Sequence, residues 1–126
     1  MNWISSLQKA IDYVEEHITE KIDYEKVAKE ACSSAFHFQR IFGIMCGITL
    51  GDYIRMRRLT LAAQEIMNTD KKITDIAQEC GFGGDSYFCK VFKEYTGVTP
   101  KQYSLNKKLL KQELTAPAFQ LIFFVL

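Results

Sequence analysis

Two stretches of this chain repeat each other about fifty residues apart, and that repetition limits the fold more than any other feature. Val27-Ala28-Lys29-Glu30 recurs as Ile76-Ala77-Gln78-Glu79 at an offset of 49. Phe38-Gln39-Arg40-Ile41-Phe42 recurs as Phe88-Cys89-Lys90-Val91-Phe92 at an offset of 50, as do Gly47-Ile48-Thr49 in Gly97-Val98-Thr99 and Tyr53 in Tyr103. One residue is gained between the blocks, in residues 32–34 against 81–84. A gap of one residue fits a turn, so the pattern predicts two copies of a helix–turn–helix unit.

Local signals place the helices. Asp23 can cap a helix that turns Val27, Ala28 and Ala31 inward. Ser34 caps a second, whose Phe38, Ile41 and Phe42 share one face. Thr49 opens a long helix over 50–68, with Asp52 completing a partial capping box and Tyr53, Ile54, Leu61, Ala62 and Ile66 as its apolar set. Asp70 or Thr74 starts the next helix, which Gly81 ends, and another runs over about 85–95 with Phe88, Val91, Phe92 and Tyr95 inward. Thr99-Pro100-Lys101-Gln102 reads as N-cap, N1 proline and N3 glutamine. Residues 1–20 form an amphipathic helix on Ile4, Leu7, Ile11, Val14 and Ile18. The expected fold is all-α, with about seven helices in two helix–turn–helix subdomains joined by a long linker helix, and a short apolar C-terminal tail. The expected divisions are a domain over 1–104 and a tail over 105–126. Within the domain fall a first unit over about 23–46, a linker over about 50–68 and a second unit over about 72–96, with a closing helix over about 100–112. Residues 119–126 have β-strand character but no partner strand. That tail packs on the helical body, pairs with another chain, or is the remnant or start of a missing effector domain.

Composition removes several function classes. Hydrophobic residues make up 48% and charged residues 25%, a globular balance. No stretch of about 18 apolar residues exists, so no membrane partner is expected. Residues 1–20 carry acids and lack a cleavage site, so they are not a secretory signal, and the expected location is cytoplasmic. Cys32, Cys46, Cys80 and Cys89 form no C-x-x-C pair, and His17 and His37 complete no metal spacing. The four thiols are therefore expected to be reduced and buried, with no metal and no cofactor. No Ser–His–Asp set, phosphate-cradling glycine loop or reactive cysteine cluster is present, which argues against an enzyme. Net charge is only +1, but its distribution is uneven: −3 over residues 1–35, +2 over 36–66, zero over 67–104 and +2 over 105–126.

A helix–turn–helix unit presents its second helix to a DNA major groove. Setting aside the inward residues leaves a candidate DNA-contacting set. It comprises Ser34, Phe36, His37, Gln39 and Arg40 in the first unit, and Ser86, Tyr87, Cys89, Lys90 and Lys93 in the second. Arg and Lys donate to guanine O6 and N7, Gln pairs with adenine, and Ser, Tyr and Lys suit phosphates. A local surface role for His37, an oxidation switch at Cys89, and either a functional patch or intrahelical salt bridges for Arg55, Arg57 and Arg58 stay open. A linker helix over 50–68 spans about 28 Å at about 1.5 Å per residue. Successive major-groove faces lie about 34 Å apart, so one monomer could grip two turns of double-stranded promoter DNA while bending it.

The chain then resembles a known family. Ile76-Ala77-Gln78-Glu79-Cys80-Gly81-Phe82, Ser86-Tyr87-Phe88-Cys89-Lys90-Val91-Phe92-Lys93, Gly97-Val98-Thr99-Pro100, and Arg57-Arg58-Leu59 with Ala62 are similar to the DNA-binding region of AraC/XylS-type transcription regulators. The resemblance covers residues 3–104. It implies two helix–turn–helix subdomains, promoter binding, and activation through contact with RNA polymerase. It also implies that Phe36, Gln39 and Arg40, and then Ser86, Cys89 and Lys90, face the groove. Cys32 stands at a turn position often occupied by glycine, Gly43-Ile44 where lysines are usual, Gly84 (before Asp85) at a usual capping aspartate, and Ser104 at a frequent arginine. The other readings are an all-helical protein-interaction module, and the DNA-binding half of a truncated ligand-sensing regulator.

Overall fold

Most of the helices begin where a polar side chain closes their free N–H groups. Asn2 accepts from the N–H groups of Ile4 and Ser5 and opens α1 (Trp3–Glu16). Asp23 accepts from Glu25 N–H at 2.9 Å and opens α2 (Tyr24–Glu30). Ser34 Oγ accepts from His37 N–H at 3.2 Å and opens α3 (Ala35–Cys46). Thr49 Oγ1 accepts from Asp52 N–H at 3.0 Å ahead of α4 (Leu50–Asn68). The helices α5 (Ile73–Glu79) and α6 (Asp85–Thr96) have no side-chain cap. The last, α7 (Pro100–Leu105), carries a complete capping box between Thr99 and Gln102. These are the seven helices of the computed structural model, which describes residues 2–107; no strand occurs among the described residues.

Several sequence expectations shift. The first helix closes at Glu16 rather than near residue 20, with His17 as its C-cap. Its packed face runs through Ala10 and Val14, while Ile4 is 72% exposed. Neither Asp70 nor Thr74 caps α5: Asp70 lies two residues before the N-cap position, and Thr74 lies inside the first turn. Asp70 pairs with Lys107 at 3.1 Å, and Thr74 Oγ1 donates to the Asp85 carboxylate at 3.0 Å. Lys72 holds the N-cap position instead. The closing helix stops at Leu105 with Asn106 as its C-cap; the rest of the expected 100–112 segment and the tail beyond Lys107 lie outside the described residues.

The chain divides inside α4, between Ile54 and Arg55, into two compact units. The first buries Ala10, Val14, Ile18, Val27, Ala28, Ala31, Phe38, Phe42, Leu50 and Ile54. The second is built on Leu59, Ala62, Ala63 and Ile66 of α4, with Ile76, Phe82, Phe88, Phe92 and Tyr103 packed on them. Lys71 ties α4 to α5 by meeting Glu65 at 3.3 Å and Glu79 at 3.0 Å.

The repeat is physical as well as textual. Ser33 N–H bonds Ala28 C=O at 3.0 Å and Cys32 N–H bonds Lys29 C=O at 3.0 Å. In the second unit Phe82 N–H bonds Ala77 C=O at 2.9 Å and Gly81 N–H bonds Gln78 C=O at 3.1 Å. This paired helix stop needs a left-handed residue, supplied by Gly81 at φ 88° and by Cys32 at φ 55°. The extra residue of the second unit falls at Gly83, at φ 77° with open space beside it. Beyond the turns, Phe38, Phe42 and Tyr53 stack in succession at 5.9 and 5.9 Å, and Phe88, Phe92 and Tyr103 do so at 5.6 and 5.5 Å.

Candidate nucleic-acid interface

The two second helices, α3 and α6, are each anchored by that aromatic triplet on one side, which turns the opposite side outward. On α3 the outward positions hold Phe36, His37, Gln39 and Arg40, all exposed, with Phe36 at 77%. On α6 they hold Ser86, Tyr87, Lys90 and Lys93, exposed, and Cys89, half-buried. Phe36 is thus on the surface rather than in the core, where Phe38 and Phe42 already fill the inward stripe.

The state of each side chain decides what it can offer a ligand. Arg40, Lys90 and Lys93 have no ion-pair partner among the described residues, so their charges are uncommitted. Ser34 is exposed, but its hydroxyl is used as the α3 cap. Gln39 Nε2 donates to Ala35 C=O at 3.3 Å, a weak intrahelical bond that a base edge could replace. His37 packs on Trp3 and Tyr87 on Phe82, and both residues stay exposed. Arg55, Arg57 and Arg58 differ from Arg40: they are half-buried on α4 and each is engaged with a neighbour.

The thiols correct one expectation. All four are free, but only Cys80 is buried; Cys32 and Cys46 are exposed, because they sit at a turn and at a helix end rather than on a packed face. Burial, reinforced by Glu65 and Glu79, pushes the Cys80 thiol up to about 11. No group of three or more metal-ligating side chains occurs among the described residues.

Two contributors escaped the sequence pattern. Trp3 reaches α3 from α1, a contact between residues 34 apart with no shared local motif. The Thr74–Asp85 bond braces the start of α6 against α5, and only the structure brings those two positions together.

The family profile described as a helix-turn-helix domain matches residues 27–106, the span that holds both repeats. The regulatory protein SoxS of Escherichia coli (strain K12) is 39% identical over 97 residues, covering 77% of this chain and 91% of SoxS. This chain belongs to the AraC family of DNA-binding transcription regulators. A second AraC-family relative, the HTH-type transcriptional activator AarP of Providencia stuartii, is 32% identical over 102 residues, covering 81% of this chain and 76% of AarP. The DNA-binding domain of AdpA, solved in complex with a target DNA, matches with a TM-score of 0.77 over 86% of this chain and 97% of that one. At 22% identity that likeness is one of fold. An AraC-family domain is a DNA-binding regulator and not an enzyme.

Proposed function

We propose that this regulator reads promoter DNA by placing α3 and α6 in successive major grooves of one duplex, one chain to a site. The observation that carries the reading is the duplicated unit with uncommitted cations at equivalent outward positions, Arg40 and Lys90. In this reading Arg40, Gln39 and Lys90 meet base edges. Phe36 and His37 line the first groove, and Ser86 and Cys89 the second. Ser34, Tyr87 and Lys93 lie against phosphates. A helical interaction module accounts for the packing but not for an exposed cation, unpaired among the described residues, at the equivalent position of each unit.

The 19-residue helix α4 has its first turn in one unit and its remainder in the other, so a continuous helix and no loop joins them. In this reading the chain activates transcription through contact with RNA polymerase; its relative AarP is a transcriptional activator. No helix among the described residues is long and apolar enough to cross a membrane.

Selection of bound sequences from a random duplex library, followed by footprinting of the winners, tests this. The expected result is one asymmetric site protected over about two helical turns. A site of one half-turn, or an inverted repeat holding two chains, overturns it.

A further inference from the structure

Position 37 of the first unit corresponds to position 87 of the second, and in both an aromatic ring stands behind it. His37 leans on Trp3, with ring centroids 5.6 Å apart and planes at 58°. Tyr87 leans on Phe82, with centroids 6.1 Å apart and planes at 49°. The supplier differs. Phe82 belongs to the turn just before α6, whereas its counterpart in the first unit is Ser33, which has no ring to offer. Trp3 comes instead from the first turn of α1, a helix outside the repeat.

The two histidines differ in their partners. His17 Nδ1 is engaged by Glu20 Oε2 at 3.0 Å. The His37 imidazole makes no hydrogen bond among the described residues; its one ring contact there is Trp3. Both imidazole nitrogens are therefore open to a partner, while the ring itself is held.

We propose that Trp3 is a positioning residue for DNA recognition: its indole holds the His37 imidazole in the orientation that meets the duplex. This rests on the reading of α3 as a recognition helix. An exposed histidine samples several rotamers, and binding must freeze one of them. A neighbouring ring in the tilted geometry that aromatic pairs favour selects that rotamer before the duplex arrives. In the second unit Phe82 does this for Tyr87 from within the repeat; in the first, the amino-terminal helix has been recruited for it.

The test compares Trp3→Ala, Trp3→Phe, His37→Ala and the double variant Trp3→Ala/His37→Ala, each in the full chain. Library selection and equilibrium binding to the best duplex are run below the melting temperature of every variant. Trp3→Ala and His37→Ala should each weaken binding by roughly three- to tenfold and relax preference at the same base pair. The double variant should be no worse than His37→Ala, and Trp3→Phe should restore most of the preference. Trp3 is the sole tryptophan, so a contact between the two rings also predicts that His37→Ala shifts its emission. Losses that multiply in the double variant, or a Trp3→Ala loss equal on all sequences, overturn the proposal. Arg40→Ala and Lys90→Ala serve as controls. If they relax preference while Trp3 and His37 stay uncoupled, positioning by Trp3 fails and the recognition reading survives. If they change neither the affinity for the best duplex nor the selected sequence, the recognition reading fails and takes the proposal with it.

Discussion

Arg40 and Lys90 occupy equivalent places on α3 and α6, exposed and without an ion-pair partner among the described residues. A base-reading cation holds one or two hydrogen bonds that only the right base returns. Arg40→Ala or Lys90→Ala should therefore each cost about 1–3 kcal/mol of binding and relax preference at one base pair, measured by selection and titration. A uniform loss on every sequence would assign that residue to a phosphate instead. Cys32 carries a different kind of cost. It holds φ 55° in a turn whose counterpart is Gly81 at φ 88°, and its thiol is exposed. A left-handed non-glycine residue is strained by about 1–2 kcal/mol, and the greater freedom of glycine in the unfolded chain returns part of that. Cys32→Gly should raise stability by about 0.5–1 kcal/mol in a urea titration, and a fall would show that the thiol contributes packing of its own.

At the scale of helices, the second unit should be the more sensitive to alkali. Burial pushes Cys80 up from near 9 to about 11 and Tyr103 up from near 10 to about 12. The folded unit thus keeps both protons while the unfolded chain gives them up. Stability is full below about pH 9 and falls as pH rises through the range up to about 12. The first unit has Ala31 and half-buried Tyr53 at the equivalent places. Cys80→Ala should move the onset of alkaline loss from about pH 9 toward pH 10, read as the urea midpoint against pH. The repeat made α2, α3, α6 and α7 legible in the sequence, because their apolar spacings agree and α2, α3 and α7 carry the expected caps. Helix α4 was less so: Leu59 is fully buried and was not in its expected apolar set, while Leu61 is only partly buried. A helix whose first turn feeds one core and whose later turns feed another has no single stripe to count. The start of α5 was misplaced because the helix begins at Ile73 behind Lys72, which leaves Asp70 two residues short of the cap and Thr74 inside the first turn. The outward sets on α3 and α6 were readable by subtraction once the inward aromatics were known. Trp3 was not, since nothing local links it to His37.

For the whole molecule, charge placement rather than total charge governs how DNA is met. The first 35 residues carry −3 and the next 31 carry +2, although the sum over the chain is +1. Binding driven by Arg40, Lys90 and Lys93 should weaken steeply with salt, with log K falling linearly against log salt concentration. A flat dependence would favour a protein partner over DNA. A duplex held at both grooves should also be bent toward the protein, visible as a change in end-to-end FRET, and a straight bound duplex would speak against simultaneous grip. Finally, the paired turns and aromatic triplets match between the units, yet the outward residues differ at every equivalent place: Phe36 against Ser86, His37 against Tyr87, Gln39 against Cys89, Arg40 against Lys90. On the proposed reading, similar scaffolds with unlike faces would give the molecule a head and a foot on DNA. An operator flipped end for end would then still be occupied, but by a regulator pointing away from the start of transcription.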